Sequence, residues 1–176
     1  MTNARPALNV RPMSDKKHVL FVCTGNTCRS PMAEALFRKA VAGRDEYVVG
    51  SAGVAASKGT PASPETIMLL KKRGAPLEKF GSRVVNDAIL SEATHVFAMT
   101  RSHLQTLESR FPAHSDKFYL VCEFVDQPKT GAGADVPDPI GMGARAYAQV
   151  ADTFDLAIPT IVAYIDQTWK PQGGEG

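Results

Sequence analysis

Apolar and polar positions along the chain alternate between the two periods of regular structure. Residues 18–22 (His-Val-Leu-Phe-Val) form a short, nearly unbroken apolar run closed by a Gly/Asn/Thr turn. That is the pattern of a strand covered on both faces. Residues 30–41 then switch to helical spacing, with Met32, Leu36, Phe37 and Val41 on the apolar side. Ser30 is the expected N-cap, Pro31 the first helical position and Glu34 an acid of the first turn. Residues 46–50 suggest a second strand, and 64–73 a helix closed by Gly74 and Pro76. Residues 95–99 suggest a third strand, 102–110 a helix stopping before Pro112, and 118–121 a fourth strand. After a loop rich in Gly, Pro and Asp, residues 144–169 supply a last helix, apolar at Val150, Phe154, Ile158, Ile161, Val162 and Ile165.

Pro159 lies inside that last stretch and should kink the helix or split it in two, since its ring clashes with the preceding turn. Strands alternating with helices predict a single α/β domain, a parallel sheet with helices on both faces. The expected domain spans residues 17–169, with a flexible leader (1–16) and a flexible tail (170–176). In such folds ligands bind beyond the carboxyl ends of the strands. The first strand ends at Cys23, so the chemistry is expected in the segment that follows.

Composition narrows the functional classes. The 176 residues are 44% hydrophobic and 22% charged, a globular balance, and the formal net charge is only +2. Neither nucleic acid nor an anionic membrane is the expected partner, because each would want a clustered basic surface. The densest basic stretch, Lys71-Lys72-Arg73, reads as the solvated end of a helix. Three cysteines (Cys23, Cys28, Cys122) are too few and odd in number for a disulfide scaffold, and no signal-like or membrane-spanning apolar run is present. The cytoplasm, where thiols stay reduced, is the expected compartment, and a monomer the expected state. His18, His95, His103 and His114 show no metal-ligand spacing, so neither metal nor cofactor is expected.

The segment Val22-Cys23-Thr24-Gly25-Asn26-Thr27-Cys28-Arg29-Ser30-Pro31 places a cysteine and an arginine six positions apart between a strand and a helix start. The intervening backbone N–H groups of Thr24 to Cys28 can point inward as an anion nest. The helix adds its positive dipole end, and the Arg29 guanidinium is a planar fork suited to two phosphoryl oxygens. This positive surrounding favours Cys23 as a thiolate nucleophile. Ser30 can donate its hydroxyl proton to that sulfur, and Gly25 and Asn26 tolerate unusual backbone angles. The bland alternative is a buried strand-end cysteine followed by an ordinary turn.

The run C-T-G-N-T-C-R-S-P-M-A-E resembles the phosphate-binding loop of the low-molecular-weight protein phosphatases. The likeness continues through Ser51-Ala52-Gly53 after the second strand, Ala98-Met99-Thr100 after the third and Asp138-Pro139 in the late loop, over about residues 17–168. The resemblance implies a four-stranded parallel sheet in a three-layer α/β/α domain. It further implies Cys23 as nucleophile forming a cysteinyl phosphate, Arg29 as phosphate binder, and Asn26 as a buried brace hydrogen-bonded to Ser51. Cys28 could, by the same resemblance, form a reversible disulfide with Cys23; otherwise it is a small buried residue under the loop. Cys122 reads as inert core.

Expelling the leaving group needs a general acid, which can afterwards act as base for water. Asp126, Asp135 and Asp138 all lie in the late loop. By the resemblance Asp138 is the acid, with Asp135 the runner-up.

For the substrate, tyrosine-directed members of the family usually carry Ile or Leu where this chain has Thr27. They also place aromatic walls where it has Ile140 and the pair Ala55-Ala56. Thr24 and Thr27 together, with Ser-Ala-Gly-Val-Ala-Ala-Ser, are similar to the bacterial protein-arginine phosphatase branch. That branch tends to have Phe where Ile140 stands. Thr27 and Ile140 are therefore the expected substrate-selecting positions, and phosphorylated proteins the expected partners, with phosphoarginine preferred and phosphotyrosine the alternative. An arsenate reductase would need relay cysteines, absent from residues 86–92, and a non-catalytic phosphate-binding module would not need the Cys, Arg, Ser and Asp set.

Overall fold

The computed structural model describes residues 15–125 and 135–171. Most of the expected leader and tail, and Asp126, lie outside the described residues. Strand β1 (Lys17–Cys23) is central, flanked by β2 (Tyr47–Gly53) on one side and by β3 (His95–Ala98) and β4 (Phe118–Leu120) on the other. All three pairings are parallel, in the order β2-β1-β3-β4. This is the four-stranded, three-layer fold that both the alternating pattern and the resemblance imply.

Side chains of β1 divide the core. Val19, Phe21 and Cys23 face the layer of α1 (Arg29–Ala40), α2 (Pro64–Lys72) and α5 (Ala144–Thr168), packing with Met32, Phe37, Leu70, Phe154 and Ile161. Leu20 and Val22 face α3 (Asp87–Glu92) and α4 (Arg101–Arg110), meeting Leu90 and Leu107. This period-two division is what an unbroken apolar strand permits. Fully burying each such side chain is worth about 1.5–3 kcal/mol.

Several boundaries differ from the pattern, each for a physical reason. Helix α1 begins at Arg29, with Cys28 as its N-cap and no capping side chain. Ser30 is therefore inside the helix rather than its cap, because its hydroxyl is directed at the Cys23 sulfur. Glu34 accordingly falls in the second turn. Strand β2 runs on to Gly53, so Ser51-Ala52-Gly53 belong to the strand instead of following it. Its end is held by Val85 N–H donating to Gly53 O and Gly53 N–H donating to Arg83 O. Residues 87–92 form a short helix capped by the Asn86 side chain, which accepts from Ile89 N–H. Helix α5 is continuous through Pro159, which neither splits it nor is buried. The carbonyl that Pro159 cannot satisfy is that of exposed Asp155, while Phe154, Ile158, Ile161 and Ile165 seat both halves on the core.

The chain order reverses between β1 and β3, and a crevice at such a switch point is where open α/β sheets bind ligands. Cys23 ends β1 there, and the first turn of α4 follows β3 beside it.

Candidate active site

The loop between β1 and α1 wraps around the Cys23 sulfur. Cys23 Sγ lies 2.8 Å from Ser30 Oγ and accepts the Asn26 backbone N–H at 3.3 Å. Asn26, fully buried, adopts a left-handed φ of 56°. Asn is one of the few non-glycine residues that enters this region readily. The brace that the resemblance implies is present and more extensive than expected. Asn26 Nδ2 donates to Ser51 Oγ at 2.9 Å and to Ser30 Oγ at 2.8 Å, while Asn26 Oδ1 accepts the Arg83 backbone N–H at 3.0 Å.

Behind the brace, Ser51 Oγ donates to Glu34 Oε2 at 2.8 Å, and Glu34 pairs with Arg38 at 2.9 Å. A nearly buried carboxylate needs such partners. The ionised carboxylate accepts only, so the Ser51 proton points to Glu34 and its oxygen is open to Asn26. The loop is also stitched to its surroundings through Val54 N–H to Cys23 O, Ala55 N–H to Thr24 O, and Ser63 N–H to Thr27 O.

Arg29 is buried, 7% exposed, and its Nη1 donates to the Val136 carbonyl at 3.0 Å. Val136, itself fully buried, donates its N–H to Met99 O at 2.9 Å. Asp138 Oδ2 sits 3.9 Å from Arg29 Nη2, with half of its side chain exposed to solvent. Asp138 Oδ1 accepts the Ile140 N–H at 3.1 Å. Asp135 is otherwise engaged: its Oδ1 takes the Arg101 backbone N–H at 2.8 Å, at the start of α4. Ile140 is 61% exposed and Met142 70% exposed, on a turn closed by Met142 N–H to Pro139 O.

Cys28 is buried, and its Sγ lies 3.4 Å from Tyr147 Oη of α5. Burial, with the contact to Cys28, pushes the Tyr147 phenol up to about 12, so it stays protonated and can donate to that sulfur. Cys23, Cys28 and Cys122 are all free thiols. Burial pushes the Cys122 thiol up, helped by Asp135, which fits the expected inert role.

Sequence reasoning missed His103. It lies in the first turns of α4, is 5% exposed, and its Nε2 is 2.7 Å from Thr24 Oγ1. Burial, reinforced by Arg29 and opposed by Asp135 and Asp138, pushes the imidazole down to about 4. The signal that could have found it was position: a polar residue just beyond the carboxyl end of the third strand. Arg83 and Tyr147, distant in sequence from the loop, carried no signal.

The structure thus brings Cys23, Thr24, Asn26, Arg29, Ser30 and Ser51 together and sets Asp138 beside Arg29. Among the described residues no group of acids, histidines and cysteines could hold a metal ion, and no helix is long and apolar enough to cross a membrane.

A sulfur met by the Ser30 hydroxyl and the Asn26 N–H, with a buried guanidinium and a neighbouring carboxyl at the sheet's switch point, fits a cysteine-dependent phosphatase. The model of the low molecular weight phosphotyrosine protein phosphatases matches residues 18–170, and the chain belongs to that family. A protein-arginine-phosphatase of Geobacillus stearothermophilus is 40% identical over 141 residues, covering 80% of this chain and 90% of that one. The solved YwlE arginine phosphatase of that organism superposes with a TM-score of 0.77 at 35% identity, covering 86% of this chain and 94% of the other. A cysteine-to-serine mutant of YwlE with a phosphorylated active-site serine superposes with a TM-score of 0.76 at 35% identity, over 86% and 97% of the two chains.

Proposed function

We propose that this enzyme removes phosphate from phosphoarginine side chains of proteins, with Cys23 as nucleophile, Arg29 as phosphate clamp and Asp138 as proton donor. The observation that carries the chemistry is the 2.8 Å contact between Cys23 Sγ and Ser30 Oγ within a donor-lined loop. Asn26 Nδ2 can only donate, so Ser30 Oγ accepts from it and has its own proton for the sulfur at 2.8 Å, a nearer acceptor than the Ala52 carbonyl at 3.5 Å. That bond stabilises the thiolate for attack and again when the sulfur leaves.

In the first step the Cys23 thiolate attacks phosphorus and the P–N bond breaks. The Asn26 N–H, which already points at the sulfur, its neighbours in the loop from Thr24 to Cys28, and the fork of Arg29 are the groups to hold the phosphoryl oxygens. Asp138 gives its proton to the departing nitrogen. In the second step the Asp138 carboxylate takes a proton from water, which attacks the phosphocysteine and releases inorganic phosphate. Exposure of Asp138, 3.9 Å from Arg29, suits a group that must meet both leaving group and water.

The arginine preference is supported by Thr27 in place of a bulky aliphatic residue and by the 40% identical relative; Ile140 stands where both branches of the family tend to carry an aromatic residue and favours neither. A thiolate nucleophile works where thiols stay reduced, which suits the cytoplasm. The test offers phosphoarginine and phosphotyrosine peptides to the wild type and to Thr27→Ile. The wild type should prefer phosphoarginine and the variant shift toward phosphotyrosine. A tenfold wild-type preference for phosphotyrosine overturns the assignment.

A further inference from the structure

His103 is the buried titratable group beside the site for which the reaction above has no use. Its ring is neutral near neutral pH, for the reasons given, and carries one N–H. Nε2 lies 2.7 Å from Thr24 Oγ1, whereas Nδ1 has no partner among the described residues. Buried N–H groups without an acceptor are rarer in proteins than acceptors left short of a donor. The proton therefore belongs on Nε2, which donates to Thr24 Oγ1. The Thr24 hydroxyl then retains one lone pair and its own proton. Thr24 is exposed, immediately after Cys23. His103 lies in the first turn of α4, whose leading Arg101 N–H is held by Asp135 Oδ1 at 2.8 Å, so its pair with Thr24 ties the loop to the end of α4 on which the acid segment docks.

We propose that His103 is a positioning residue that aims the Thr24 hydroxyl at the leaving group, so that its free lone pair accepts an N–H of a phosphoguanidine. The inference rests on the phosphoarginine reading and deepens it. A guanidine leaving group offers N–H donors beside the scissile nitrogen, whereas a phenolic oxygen offers none. The His103–Thr24 pair is thus a further selector of substrate, joining α4 to the same loop that carries Thr27.

The test measures kcat/KM on phosphoarginine and phosphotyrosine peptides for the wild type, His103→Ala, His103→Gln, Thr24→Val and the His103→Ala/Thr24→Val double variant. Each of His103→Ala and Thr24→Val should lower the phosphoarginine value about tenfold, the worth of one hydrogen bond, and the phosphotyrosine value only about twofold. The double variant should be no worse than Thr24→Val alone, because both remove the same bond. His103→Gln, whose amide N–H can reach toward the place of Nε2, should recover most of the lost ratio.

Equal losses on the two substrates, or losses that multiply in the double variant, would overturn the proposal. If His103→Ala does not fold, Thr24→Val decides the matter alone, and an unshifted substrate ratio in it is the overturning result. A wild type inactive on phosphoarginine sinks the functional reading together with this one. An active wild type with unshifted ratios in the variants sinks only this one.

Discussion

The backbone N–H of Arg83 donates to Asn26 Oδ1 at 3.0 Å, and this bond fixes which way the Asn26 amide faces. With its oxygen so occupied, Asn26 must point both Nδ2 protons at Ser30 and Ser51. That orientation makes both serine oxygens acceptors, leaving the Ser51 proton for Glu34 and the Ser30 proton for Cys23 Sγ or the more distant Ala52 carbonyl. A residue 57 positions away in sequence thereby reaches the reacting sulfur through two side chains.

Ser30→Ala tests the last link. It removes the hydroxyl that faces Cys23 Sγ and strands one Asn26 Nδ2 proton in a buried place. We expect kcat on an aryl phosphate to fall about 10²-fold, as for loss of one preorganised donor, with a small change in KM. Steady-state kinetics decide it, and an unchanged kcat would show that the 2.8 Å contact is idle.

Asp138→Asn and Asp135→Asn separate the two acid candidates. Asp138→Asn should slow leaving-group expulsion by roughly 10²–10⁴-fold. Asp135→Asn keeps an oxygen for the Arg101 N–H and should cost little. Single-turnover kinetics with a basic leaving group read the difference; the reverse ranking would move the proton donor to Asp135.

Gly53→Ala addresses the close approach of β2 to the loop. A Cβ at Gly53 would overlap the Thr24 carbonyl oxygen and lie 3.0 Å from the Asn26 nitrogen, both backbone atoms that cannot step aside cheaply. Overpacking of this kind costs about 1–3 kcal/mol. Thermal unfolding should show that loss, and phosphatase activity should fall further than stability does, because the displaced atoms belong to the loop. A fully active alanine variant would refute the close fit.

Stability should drop in mild acid. Burial, aided by the charge of Lys17, pushes the His95 imidazole down to about 4 from an ordinary 6.5. The unfolded chain therefore binds more protons between those values, and linkage makes stability rise with pH across the window. His95 contributes in full above pH 6.5, progressively less as pH falls toward about 4, and no further loss below it. His103 acts in the same sense. Urea unfolding at pH 7 and pH 4.5 should show wild type losing more stability than His95→Phe, by about 2–3 kcal/mol. Equal losses would mean that His95 is not held neutral.

The order of the strands and longer helices was legible because the central strands β1 and β3 are buried almost throughout and read as compact apolar runs, with helical spacing between; the short helix α3 carried no such pattern. The loop was legible because its chemistry is local: Cys23, Asn26, Arg29 and Ser30 lie within eight residues. What escaped notice depends on partners remote in sequence. Ser30 looked like a helix cap because its residue type favours caps, and only the nearby sulfur gives it other work. Residues 51–53 read as lying after the second strand because Gly50 and Gly53 interrupt the apolar pattern, yet the clasp from Arg83 and Val85 extends the strand through them. His103 sits on a polar helix whose buried face is narrow, Leu107 and His103 alone, so no periodicity marked it. Pro159 misled because solvent on its side of α5 relieves the fault that a proline would cause in a buried helix.

Arg29 spends one nitrogen on the Val136 carbonyl before any substrate arrives. The guanidinium proposed to clamp the incoming anion and the segment that carries Asp138 are thus tied directly to each other across 107 residues of chain. A lysine at position 29 could replace the charge but has no fork with which to hold two objects at once. It would leave the acid to find the bound phosphate by chance encounter, uncoupling capture from turnover.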